Sequence, residues 1–285
     1  MWRLARSAIR PLQPTGSHFR SFSNKIVPPP TKPSTAAKWA DTASKWVHTA
    51  PPPTERQFVT NLHGIVAKGL SLSVLTGYGC AYGCAFIAQP AAAFLPLLGV
   101  GFFGSIACIW KLDRYEKLEK CTGLLTFDEQ DSVRTTFWLM CGAAGMILTP
   151  TLSMVDPWTV PLVLGVTGGM MAGFTAWARF SRANPMFHWQ EPLLFGLCSL
   201  VAIDLAALIS LGVLGANGFA ETVLSIDLHA GLMLFTALSA YDTHVALQAY
   251  RSNPHKNVHL LAIDLFWSLL NFFIRLLALI NKTKK

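Results

Sequence analysis

Residues 258–280 read VHLLAIDLFWSLLNFFIRLLALI. A helix needs roughly 20 mainly apolar residues to cross a bilayer, and this stretch supplies them. Its strongly polar groups are not scattered. At 100° per residue, Asp264, Ser268, Asn271 and Arg275 fall at about 0°, 40°, −20° and 20°. They form one narrow stripe on a surface otherwise made of Leu, Phe, Ile, Ala and Trp. Charges facing lipid are expensive, so such a helix belongs inside a bundle, with its stripe against a partner or a wet cavity.

Six further apolar stretches precede it, at 59–82, 91–111, 133–154, 159–180, 192–214 and 226–250. The expected fold is all-α: a polytopic membrane protein of about seven transmembrane helices, filling residues 58–285. Composition agrees. Of 285 residues, 52% are hydrophobic and 13% are charged, against about 25% charged in soluble proteins. Mean hydropathy is +0.40. Trp110, Trp158, Trp177 and Trp189 stand near proposed helix ends, as interfacial aromatics do. Gly79 and Gly83, and Gly165, Gly169 and Gly173, recur at four-residue spacing. Such small faces let helix backbones approach closely, and close packing is expected there.

The net charge of +8 is no sign of nucleic acid binding. Residues 1–40 hold Arg3, Arg6, Arg10, Arg20, Lys25, Lys32 and Lys38 and no acid, which leaves +1 for the rest. Rich in Arg and Ser, residues 1–22 have the composition of a mitochondrial transit peptide. Residues 23–57 form a linker with Pro28–Pro30 and Pro51–Pro53. Between these runs Trp39, Ala43, Trp46 and Val47 have the spacing of a short surface helix. The loop at 111–134 carries Lys111, Arg114, Lys117, Lys120 and Arg134; those at 180–191 and 251–257 carry Arg182, Arg251 and Lys256. The alternate connections lack Lys and Arg. By the positive-inside rule, the N-terminus and basic loops face the matrix of a mitochondrial inner membrane. The basic end of the chain, Lys282 to Lys285, then falls on the opposite side, unless the last segment stops short of crossing.

Intramembrane charges mark candidate function. They are Asp204, Asp242, Asp264 and Arg275. The hairpin of the last two helices turns near residue 254, so Asp242 comes level with Asp264 and Ser268 to within about 3 Å in depth. Two close carboxylates in a low dielectric do not both ionise cheaply, and are expected to share a proton. Such a pair is a pH latch or a hard oxygen site for calcium; the other reading is that these acids accept hydrogen bonds from Ser, Asn or Arg and fix packing. His229, His244 and His259 read as packing or interfacial groups. Cys80, Cys84, Cys108, Cys141 and Cys198 read as small apolar residues of the spans, and Cys121 falls in the charged loop. No P-loop, Gly-x-Ser-x-Gly elbow or His-Glu-x-x-His is present, so no enzyme and no resident cofactor are expected.

Tyr241-Asp242-Thr243, followed by Leu270-Asn271-Phe272-Phe273-Ile274-Arg275, resembles the transmembrane Bax-inhibitor-motif family. The last run is most similar to its mitochondrial branch, the growth-hormone-inducible transmembrane proteins. The resemblance implies a seven-helix bundle with the last helix central, and a calcium leak or calcium–proton exchange governed by an aspartate pair on the last two helices. Asp242 matches the first of that pair. The second falls at Ser268, with Asp264 one turn earlier on the same face as a substitute. That departure leaves a second expectation open: a non-transporting structural subunit of an inner-membrane complex.

Overall fold

A computed structural model describes residues 53–85, 90–180, 189–213 and 217–283, apart from some side chains near helix ends. The transit-peptide segment, most of the linker and the Trp39–Val47 segment lie outside these residues. Among the described residues the chain is all helical. The helices are α1 (Glu55–Ala85), α2 (Pro90–Thr122), α3 (Phe127–Ser153), α4 (Thr159–Phe180), α5 (Gln190–Val213), α6 (Asn217–Ser252) and α7 (Val258–Thr283). All seven expected helices are present. Five of them, α1 to α4 and α7, are long and apolar enough to cross a membrane. In α6 the apolar run is diluted by Asp227, His229, Asp242 and His244.

The largest difference from expectation lies at 111–134, which is helix over most of its length. The reason is local. Asp113 pairs with Lys117 at 3.0 Å and Glu116 with Lys120 at 2.8 Å, both at i,i+4, a spacing that supports helix in water. So α2 runs on past its apolar part as a charged extension. Gly123, with φ of 82°, stops it, and its N–H donates back to the Glu119 carbonyl at 2.8 Å. The cap of the next helix, Thr126, comes three residues later, where the Glu129 carboxylate takes the Thr126 N–H at 2.8 Å. Tyr115 and Ser132 then tie the two helices together at 2.8 Å.

α7 packs on α1, α3, α4 and α6 and forms the centre of the bundle. Leu260, Leu261, Ala262, Leu265, Phe266, Ser268, Leu269, Leu270, Phe273 and Leu277 are all buried. At one end, the Asn257 side chain caps α7 by accepting the His259 N–H at 2.9 Å, and the Asn257 N–H donates to Glu119 at 2.8 Å. At the other end, Asn281 donates to the Met154 carbonyl at 3.4 Å. Met154 closes α3, which starts at the basic loop. α7 therefore runs the full depth beside α3, and Lys282 stands at the end opposite the basic loops.

Large apolar side chains line the outside: Leu95, Phe103, Leu139, Phe195 and Met233 are well exposed, as a protein solvated by lipid requires. Trp110, Trp158, Trp177 and Trp189 are exposed too.

The glycine expectation was wrong. A Cβ at Gly79, Gly83, Gly165, Gly169 or Gly173 would meet open space. Close approach occurs elsewhere. A Cβ at Gly145 would fall 2.4 Å from the Ser73 carbonyl oxygen, and one at Gly77 would fall 2.9 Å from the Gly145 carbonyl oxygen. Here α1 and α3 are in backbone contact, and the Ser73 hydroxyl donates to the Cys141 carbonyl at 2.7 Å. Spacing shows that a face is small; it does not show what the face meets.

Candidate functional site

The seam between α6 and α7 holds two buried aspartates, Asp227 and Asp242, and the buried Ser268. On α6, Asp227, Gly231, Phe235 and Asp242 lie within about 80° of one another around the axis. They face the stripe of α7. The two helices run antiparallel, and their hairpin turn is set by Asn253, whose side chain accepts the His255 N–H at 3.1 Å.

Asp242 is buried, with 7% exposure, and Ser268 is more so at 1%. The Ser268 hydroxyl donates to Asp242 Oδ2 at 2.5 Å. Ser268 is one of the two residues expected level with Asp242, and it is in hydrogen-bond contact with it. With an ionised carboxylate as acceptor, a bond of this kind is charge-assisted. A hydroxyl adds no charge to repel the carboxylate. Two carboxylates at the same distance would be forced to share a proton. The Asp242–Ser268 contact has no such need.

Asp264 stands one turn nearer the hairpin. It lines a cavity of about 30 Å³ with Ile109, Leu112, Asp113 and Glu116 of α2, and Leu260 and Ile263 of its own helix. Tyr241 is within electrostatic reach of both Asp242 and Asp264. Four acidic side chains thus flank this part of α7: Asp242 on α6, Asp264 on α7, and Asp113 and Glu116 on α2. Among the described residues, no three His, Cys, Asp or Glu side chains are arranged to hold a metal ion. A hard cation needs six or more oxygens, so any cation here would keep water or take hydroxyl and carbonyl oxygens.

Arg275 has a partner that sequence reasoning missed. Its guanidinium donates to the Asp227 carboxylate in a close ion pair, and to the Asp227 carbonyl at 3.3 Å. Both side chains are largely buried, at 13% and 8% exposure. The guanidinium also lies 5.3 Å from the Phe235 ring centroid, within cation–π range. The side chain reaches this place by crossing Gly231. A Cβ there would fall 2.5 Å from Arg275 Cζ and 2.7 Å from Cδ. The signal was present in the sequence: Asp227, Gly231 and Phe235 are spaced by four, and Arg275 is the one cation deep in the last helix.

The remaining expected groups are less engaged. Asn271 donates to the Trp267 carbonyl of its own helix at 2.8 Å. The side chain of Asp204, in α5, lies outside the described residues. The ring of His259 makes edge contacts with Phe137 and Trp138. His63, also unforeseen, shares a hydrogen bond of 2.6 Å with Thr175 of α4.

A family model described as inhibitor of apoptosis-promoting Bax1 matches residues 55–285. No curated protein and no solved structure matches the chain.

Proposed function

Because the chain belongs to the family of inhibitors of apoptosis-promoting Bax1, we propose that it is a cation leak or calcium/proton exchanger that uses Asp242 as its principal intramembrane carboxylate. It is a membrane protein by family and by fold. The observation that carries the reading is the buried Asp242–Ser268 hydrogen bond on the last two helices, with Asp264, Asp113 and Glu116 near by. A buried ionised carboxylate attracts a hard cation, and a site with few protein oxygens holds it weakly. Weak holding suits passage more than storage. Calcium would be cargo, and the chain would need neither a resident cofactor nor a chemical step.

In this reading the proton enters through Asp264 and its α2 neighbours more than at Ser268, because a serine hydroxyl does not titrate. The composition of residues 1–22 supports a place in the mitochondrial inner membrane, with the basic loops in the matrix. It also supports the mitochondrial branch of the family.

The test is calcium flux in proteoliposomes. Asp242→Asn should reduce flux more than about tenfold while the protein stays folded, since an amide oxygen still accepts from Ser268. Unchanged flux in that variant would refute the reading. A second reading, a non-transporting structural subunit, is favoured by one observation: serine stands where the resemblance expects an aspartate. Absence of calcium flux from the wild-type protein between pH 5 and 8, the range set by roughly a unit and a half either side of histidine's ordinary value, would select it.

A further inference from the structure

Between Gln57 and Cys84 the first helix carries one charge, Lys68. It stands about 20 Å along the helix from Glu55 at 1.5 Å per residue, beside Gly69, which packs against Cys141 and Phe266 in the middle of the bundle. Lys68 is nonetheless exposed. Among the described residues it has no ion-pair partner. An ammonium group at this depth is costly unless it reaches the headgroup level or meets an anion.

Lys68 opens into a cavity of about 570 Å³ at the basic end of the bundle. Lys256 and His255 enter it from the α6–α7 turn, and Asn61, His259 and Asn257 also line it. No carboxylate contributes to the lining. Ile65 and Val258 add an apolar edge. A cavity with two lysines, histidines and amides, next to lipid and without acids, has the chemistry of an anion site. Because Lys68 belongs to a membrane span, a ligand that reaches it shares the bilayer.

We propose that this cavity binds the headgroup of an anionic phospholipid, with Lys68 and Lys256 on the phosphate. The acyl chains would lie along the outer face of α1. The site is separate from the α6–α7 seam, and stands or falls independently of ion transport.

The full-length protein in detergent is offered phosphatidylglycerol or phosphatidylcholine, and bound lipid is counted by native mass spectrometry and by thermal unfolding. Phosphatidylglycerol should be retained and should raise the unfolding temperature; phosphatidylcholine should do neither. Lys68→Gln and Lys256→Gln should each weaken retention about fivefold, as expected for one cation at an anionic headgroup. Lys68→Arg should keep retention. Equal retention of both lipids by the wild type, or full retention in the Lys68→Gln/Lys256→Gln protein, overturns the proposal. Displacement of phosphatidylglycerol by inorganic phosphate, with the same thermal stabilisation, assigns the cavity to a free anion and overturns it too. The wild-type comparison of the two lipids decides the question even if a variant does not fold.

Discussion

Two polar contacts lie along one pair of helices, about two turns apart on α7, and they are built differently. At Ser268 a hydroxyl meets the Asp242 carboxylate. At Arg275 a guanidinium meets the Asp227 carboxylate, crosses the backbone at Gly231 and lies near Phe235. The second contact is neutral as a pair and has shape requirements on three successive turns of α6. The first joins a buried carboxyl group to a neutral hydroxyl, which brings no countercharge. A neutral, shape-locked pair serves to hold helices in register. A carboxyl group joined to a hydroxyl has no countercharge in that contact, which is what the proposed cation site requires. The comparison separates a structural bolt from the carboxyl group to which the proposed function assigns the cation, although both are aspartates on the same face of α6.

The sharpest way to break this contrast is at the bolt. Asp227→Ala removes the carboxylate of a buried ion pair and should cost about 3–5 kcal/mol, read as a large drop in the thermal midpoint in detergent. The Asp227→Leu/Arg275→Leu protein should recover to within about 1 kcal/mol of wild type, because a buried pair often breaks even against apolar residues. Calcium flux should survive in the double variant. If it is abolished there, the bolt is part of the pathway and the contrast fails.

Gly231→Ala asks for less. The added Cβ must push Arg275 aside, at about 1–3 kcal/mol for overpacking. The Asp227→Leu/Arg275→Leu background should remove most of that cost, in a double-mutant cycle followed by unfolding.

At the other contact the stability effects are smaller. Ser268→Ala removes one donor to a buried carboxyl group, about 1–3 kcal/mol if nothing replaces it and less if water enters. Ser268→Asp sharpens the comparison in a different way. It restores a carboxylate pair, which must share a proton to be tolerated. Flux in that protein should acquire a pH-dependent step that the wild type lacks, seen in proteoliposomes titrated across the acidic range. Flux in Ser268→Asp with the pH profile of the wild type would show that this position does not face the pathway. The smallest effect is expected away from the seam: Gly169→Ala should change stability by less than about 0.5 kcal/mol, because nothing lies within 4 Å of the added carbon.

Much of the architecture was legible in the residues. The segment 258–280 announces a buried central helix, since its polar groups share one stripe, and α7 is surrounded by α1, α3, α4 and α6. The level meeting of Asp242 and Ser268 follows from counting residues out from the turn. The missed features share one character. Asp227 and Gly231 matter because of the path of a side chain from another helix. Lys68 matters because of a cavity closed by a turn nearly two hundred residues later. The small faces at Gly79–Gly83 and Gly165–Gly173 were misjudged because a small face permits close approach without supplying the neighbour.

By itself, the order of residues determined the solvent, the helix count and the polar stripe of the last helix, because hydropathy and the 3.6-residue period are properties of a single segment. The end-to-end packing of that helix in the bundle was decided only in three dimensions, by Asn257 against Glu119 at one end and Asn281 against Met154 at the other. So were the pairing of Arg275 with Asp227 and the place of Lys68 at a cavity. These depend on which faces meet and how closely, and van der Waals fit among seven packed helices sets that where lipid offers no hydrophobic drive.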